Sequence, residues 1–337
     1  MIPDLDLALI WVVLLAIAVL AYVLLDGFDL GVGMLFPFLG GEAERTTAMN
    51  SVAPVWDGNE TWLVLGGGGL FAAFPLAYAV IIPAVYAPVI AMLLGLILRG
   101  VAFEFRGSTD RRRALWDRSF FLGSLVATVC QGIILGALVQ GIPMEDRAYA
   151  GGWWDWLTPF SLVTGLALAA GYCLLGATWL VLKTEGALQQ RVRGMAGWFG
   201  LATLAGIGVF SLWTPFLQAG YMEKWFGWPA LLYTAPVPLL VLAAGSLLFV
   251  SLRRGSDLKP FLYAQALFLL AFIGLWISFY PYIVPSSVTI WDAAGPDVSL
   301  GFLLVGAAVL LPLVLAYTAG VYWVFRGKVR PGEGYYH

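Results

Sequence analysis

Nine stretches of about twenty mostly apolar residues run through this chain, each the length a helix needs to cross the hydrocarbon of a bilayer. They fall at about 7–25, 52–74, 78–98, 119–140, 159–182, 197–217, 229–251, 260–283 and 300–325. The second and third are nearly continuous, and Ala73-Phe74-Pro75 is the expected break. Only 11% of the 337 residues are charged, against roughly 25% in a soluble domain. The polar coat of a water-facing surface is missing, so the expected fold class is an all-α polytopic membrane protein forming one domain over 1–337. The first run follows Asp4 and Asp6 instead of basic residues, and no small-residue cleavage site closes it. It reads as a retained helix, not as a signal peptide.

The basic residues test that count. Placing the N-terminus outside puts sixteen of the eighteen Lys and Arg residues in cytoplasmic segments, from Arg45 to Arg330, and leaves only Arg147 and Lys224 outside. This bias predicts a periplasmic N-terminus, a cytoplasmic C-terminus and an odd number of spans. Asp110-Arg111-Arg112-Arg113 reads as a topology and lipid-contact loop. Aromatic clusters such as Trp153-Trp154-Asp155-Trp156 and Trp225-Phe226-Gly227-Trp228 suit the outer interfacial belt.

Cofactor chemistry is bounded by what is missing. The one histidine is His337, the last residue. Haem in membrane oxidases is commonly held by His or Met, so this chain is not expected to ligate haem by itself. Cys130 and Cys173 lie in separate apolar runs and read as small buried hydrophobes, and the scattered Met residues read as packing. Gly66-Gly67-Gly68-Gly69 lacks the Lys-Ser/Thr and the preceding strand of a phosphate loop and reads as close helix packing. Asn59-Glu60-Thr61 matches a glycosylation sequon, which at membrane depth is accidental.

Ionisable groups at membrane depth are costly and mark function by default. Asp26 and Asp29 close the first span, three residues apart on one helical face. Asp57 and Glu60 repeat that spacing in the second span, with Asp57 expected roughly 8–10 Å in as the deepest charge and without a local partner. Arg99 and Glu104 end the third span at the same level. Five acids around one base suit a proton relay. The plainer reading has Asp26 capping a turn and Glu104 pairing with Arg99 or Arg106. A proton-coupled secondary transporter and a passive scaffold are the alternatives. The transporter would want a midplane site between inverted repeats, whereas these charges gather near one face.

At these residues the chain becomes specific. Leu25-Asp26-Gly27-Phe28-Asp29-Leu30-Gly31-Val32-Gly33 and Asn50-Ser51-Val52-Ala53-Pro54-Val55-Trp56-Asp57-Gly58-Asn59-Glu60-Thr61-Trp62 resemble the first two signatures of cytochrome bd-type quinol oxidase subunit II. Arg99-Gly100-Val101-Ala102-Phe103-Glu104-Phe105-Arg106, Pro281-Tyr282-Ile283-Val284-Pro285-Ser286-Ser287 and Tyr317-Thr318-Ala319-Gly320-Val321-Tyr322-Trp323 match further ones, in order along the chain. The resemblance implies two four-helix bundles plus one peripheral helix, and a terminal oxidase of the bacterial inner membrane that is electrogenic without proton pumping. It implies a heterodimer with subunit I, which carries haems b558, b595 and d and oxidises quinol. It admits a small single-helix accessory subunit and a structural quinone or lipid on this chain. Nucleic acid is not an expected partner. Carried onto matching positions, Asp29 and Asp57 face subunit I and line a cytoplasmic proton path, with Asp26, Glu60 and Glu104 as further members and Arg99 as their charge partner.

Overall fold

A computed structural model describes residues 6–107 and 112–329; Asp4, Asp110, Arg111, Arg330 and His337, named above, lie outside them. The chain is helical almost throughout. In order come α1 (Leu7–Leu35), α2 (Glu42–Val52), α3 (Trp56–Ala73), α4 (Pro75–Ala84), α5 (Tyr86–Arg106), α6 (Arg113–Gln140) and α7 (Pro159–Lys183). Then follow α8 (Gly186–Trp213), α9 (Ala219–Phe226), α10 (Leu231–Thr234), α11 (Pro236–Arg253), α12 (Leu258–Phe279), α13 (Ile290–Ala293) and α14 (Asp297–Val324). Two short antiparallel ribbons sit in connections, one pairing Met144 with Tyr149 and the other Tyr282 with Thr289.

Among the described residues, eight helices are long and apolar enough to cross a membrane: α1, α5, α6, α7, α8, α11, α12 and α14. The sequence reading counts a ninth, and α3 occupies its place. With 18 residues and Asp57, Asn59, Glu60 and Thr61 in its first two turns, α3 is too polar to qualify by composition.

Local chemistry explains the boundaries. Asp6 caps α1 by accepting from the Leu9 amide at 2.9 Å. Thr158 and Ser161 form a reciprocal capping box at α7, with Pro159 at its first position. Two sequence expectations need correction. First, α1 does not close at Asp26 and Asp29 but runs on to Leu35. The two acids do not need the water of a helix end, because both carboxylates find partners on neighbouring helices. Second, the span expected from residue 52 begins at Trp56, because Val52 is the end of α2 and Pro54 separates the two helices. The break at Phe74 falls where expected, and a further one at Val85 divides the third span into α4 and α5.

The core is built at helix crossings. On α1, Phe28 stacks on Trp179 of α7 with ring centroids 4.2 Å apart and meets Phe261 of α12 edge-on at 5.8 Å. Where α1 crosses α7, a Cβ on Gly31 would lie 1.8 Å from the Tyr172 carbonyl oxygen, so only glycine allows the two backbones this close. The Gly66–Gly69 run divides its work: Gly69 packs on Leu15, whereas Gly67 and Gly68 face open space. Both cysteines are free and buried.

Candidate functional site

The first turns of α3 and the adjoining parts of α1 and α5 bring the sequence's charged candidates into two groups. Asp26, Asp29 and Arg99 are fully buried. Arg99 Nη2 makes a 2.7 Å ion-pair contact with Asp26 Oδ1 and lies 3.9 Å from Asp29 Oδ2. The Asn59 amide donates to Asp29 Oδ2 at 2.6 Å and to the Leu25 carbonyl at 3.3 Å. The Tyr322 hydroxyl, reaching in from α14, donates to Asn59 Oδ1 at 2.9 Å. The guanidinium lies 6.0 Å from the centroid of the Trp56 ring, which stacks on Phe103.

Two acids against one base leave this cluster with a formal charge of −1. Taking such charges out of water costs several kcal/mol per ion even after relaxation. The protein offsets that cost with one shared cation and a fixed amide, a compact arrangement in which a proton added to either carboxylate cancels the excess charge.

The second group is more accessible. Asp57 is exposed and Glu60 half-buried, both on a groove of about 510 Å³ between α3 and α5 that is also lined by Trp56, Thr61, Leu96 and Gly100. Asp57 is therefore not the deepest charge: as the second residue of α3, it sits at the mouth of the groove. Glu104 is exposed on α5, and Arg106 takes other partners: its Nε donates to Asp117 Oδ1 at 2.6 Å and its Nη2 pairs with Glu42 at 3.4 Å. Arg45 joins Asp117 from α2 at 3.0 Å, so this end of the bundle is tied by a salt-bridge network.

The structure thus unites Asp26, Asp29 and Arg99, sets Glu60 and Asp57 beside them, and separates Glu104. Sequence reasoning missed Asn59, dismissed there as part of an accidental sequon, and Tyr322, whose partner is 263 positions away in sequence. An amide set between two signature acids, two residues after Asp57 and one before Glu60, was the available signal for Asn59.

Among the described residues no three His, Cys, Asp or Glu are grouped to hold a metal ion. The buried polar groups around Arg99 are carboxylates and an amide already committed to it and to each other, and the buried Met34, Met49 and Met92 lie in the apolar core.

Comparison with known proteins supplies the context. A family model described as cytochrome bd terminal oxidase subunit II matches residues 7–325. The chain is 31% identical to cytochrome bd-I ubiquinol oxidase subunit 2 of Escherichia coli K12 over 360 residues, covering 96% of this chain and 95% of that one. It is 33% identical to cytochrome bd ubiquinol oxidase subunit 2 of Bacillus subtilis 168 over 339 residues, covering 96% and 97%. A chain of the solved bd oxidase from Geobacillus thermodenitrificans shares the fold, with a TM-score of 0.76 at 17% identity over 95% of this chain and 99% of that one. With so much of its length matched, the chain belongs to the cytochrome bd terminal oxidase subunit II family.

Proposed function

We propose that this chain is the haem-free subunit of a quinol:oxygen oxidoreductase and that it takes up the protons consumed when oxygen is reduced to water. As a family member it is a multi-pass subunit of a respiratory terminal oxidase in the bacterial inner membrane. Its single domain spans the bilayer nine times with α3 as the ninth span, as two four-helix bundles and a peripheral helix. The N-terminus is periplasmic and the C-terminus cytoplasmic, as the Lys and Arg bias requires.

The observation that carries the proton reading is the fully buried Asp26–Arg99–Asp29 cluster directly behind a groove whose mouth holds Asp57 and Glu60. Asp57 and Glu60 collect protons at the cytoplasmic end; Asp29 and Asp26 receive them beneath. Arg99 keeps the cluster poised, because it stabilises one carboxylate fully and the second only partly. Glu104 belongs at the entry as a surface acid.

The same groove supports placing subunit I on this face. Val64, Leu93 and Ile97 line it and are exposed, Phe71 and Leu94 are exposed on the same two helices, and Gly67 and Gly68 of α3 face open space. A carboxylate amid such residues is poorly suited to lipid, and a protein partner resolves the conflict. Haems b558, b595 and d and the quinol-oxidising site then belong to subunit I. A small accessory helix, and a quinone or lipid against this chain, complete the assembly.

The test uses the purified two-subunit complex in liposomes. Asp57→Asn and Asp29→Asn should each slow oxygen-coupled proton uptake at least tenfold while the haem spectrum is unchanged. Uptake at the unsubstituted rate in both variants would leave the acids as passive scaffold. Membership of an oxidase family sets the transporter alternative aside.

A further inference from the structure

The buried polar groups do not stop at the carboxylates. One turn before Asp26 on the same face of α1 lies Tyr22, 4% exposed and within interaction range of the Asp26 charge. Gln131 of α6 donates from Nε2 to the Tyr22 hydroxyl at 2.6 Å, and the Tyr172 hydroxyl of α7 donates to Gln131 Oε1 at 3.1 Å. Two phenols and an amide from three helices therefore meet near the middle of α1 and α7.

Around them several buried atoms have no hydrogen-bond partner in the protein: Asp26 Oδ2, Asp29 Oδ1, Arg99 Nε and Nη1, Thr128 Oγ1 and Trp62 Nε1. They are not scattered. Trp62 packs beside Tyr22 in one buried cluster. Gly33 of α1 faces Ser124 of α6, and Tyr22 bonds to Gln131 of the same helix; that antiparallel register brings Thr128 level with Asp26 and Asp29. Gly27 leaves room for the Tyr172 ring, since a Cβ there would lie 2.8 Å from its Cε1.

We infer that Tyr22, Gln131, Tyr172 and Trp62 bind ordered water in the middle of the helix bundle, continuous with the Asp26–Arg99–Asp29 cluster. The donor and acceptor inventory fits. Arg99 has N–H groups to give, Asp26 and Asp29 each have a bare oxygen to receive, Trp62 has one N–H, and Thr128 and both phenols can do either. A buried water makes about three such bonds, and sites of this polarity hold water where apolar cavities stay dry. The water site rests on these unpartnered buried polar atoms. Its purpose rests on the proton-uptake reading: a proton reaching Asp26 has an internal branch of water and phenol oxygens to move into, away from the α3–α5 groove.

Radiolytic hydroxyl labelling of the purified complex in heavy-oxygen water tests this, because bound water labels the side chains it touches. Tyr22 and Tyr172 should be labelled several-fold more than the equally buried Phe28 and Phe120, and Gln131→Met should remove most of that excess. Labelling of the two tyrosines no higher than the phenylalanines in the unsubstituted complex overturns the inference, whether or not the variant assembles. In the liposome assay, Tyr22→Phe should slow proton uptake several-fold at unchanged haem content. Dry tyrosines together with an uptake-deficient Asp57→Asn complex would sink this site and leave the proposed function intact. Labelled tyrosines with an unaffected Asp57→Asn complex would do the reverse.

Discussion

Arg99 is the residue on which the buried charges depend. Its side chain is fully enclosed and is the cation within reach of both Asp26 and Asp29. Removing it leaves two buried carboxylates without their shared cation, a change that costs about 3–5 kcal/mol in comparable buried pairs. Arg99→Ala should therefore lower the melting temperature of the complex by several degrees and reduce its yield, whereas Arg99→Lys, which keeps the charge, should fall between; differential scanning fluorimetry of the two variants checks the order. Residue type made this cluster legible in the sequence: acids and an arginine inside apolar runs announce themselves. What the sequence hid was depth and partnership. Asp57 reads as deep only if the helix is taken to begin at Val52, and the turn around Pro54 shifts the start to Trp56. Asn59 and Tyr322 are ordinary polar residues until the fold sets them 2.9 Å apart.

Among the elements, α1 carries the greatest structural demand. It runs 29 residues without interruption, holds two charges inside, and touches α7 so closely that Gly31 and Gly176 meet backbone to backbone. Gly31→Ala places a methyl group 1.8 Å from the Tyr172 carbonyl oxygen, a clash that only a shift of the whole helix relieves. Overpacking of this kind costs about 1–3 kcal/mol or more. The variant should assemble poorly with subunit I, measured as a lower haem-containing fraction after size exclusion. The long apolar helices were readable from composition because nothing else in the sequence has their length. The boundaries of α1 and α3 were not, because they are set by cross-helix partners of Asp26 and Asp29 and by a proline turn that hydropathy averages over. The glycine run of α3 could be recognised as a packing surface, but not that only its two ends, Gly66 and Gly69, meet α1.

The whole molecule is closed at its C-terminal end by a clasp. Asp257, between α11 and α12, receives Lys328 at 2.6 Å and Arg193 at 2.9 Å. The Lys183 ammonium donates to the carbonyls of Phe325 and Gly327, and the Val329 amide to the Lys183 carbonyl at 2.8 Å. Burial works against the Asp257 carboxylate, but the bonds and charges of Lys328, Gln189 and Arg193 outweigh it and hold its pKa below the ordinary 3.8. A carboxyl lowered by folding contributes stability above its unfolded pKa and loses it as pH falls through the folded one. The segment after α14 should stay docked at neutral pH and loosen below about 4, which hydrogen exchange at the Val329 amide would register as faster exchange in acid.

The open face of α3 and α5 has a consequence for how a cell makes this protein. An unmated copy would present the Asp57 carboxyl and two bare glycines to acyl chains, an unfavourable surface that membrane proteases and foldases can recognise. Burying that seam against a companion removes the recognition mark. On the proposed role of Asp57, synthesis of the two polypeptides in matched amounts becomes a condition for this one to persist, and the residue that would take up protons in the finished enzyme also marks whether it has assembled.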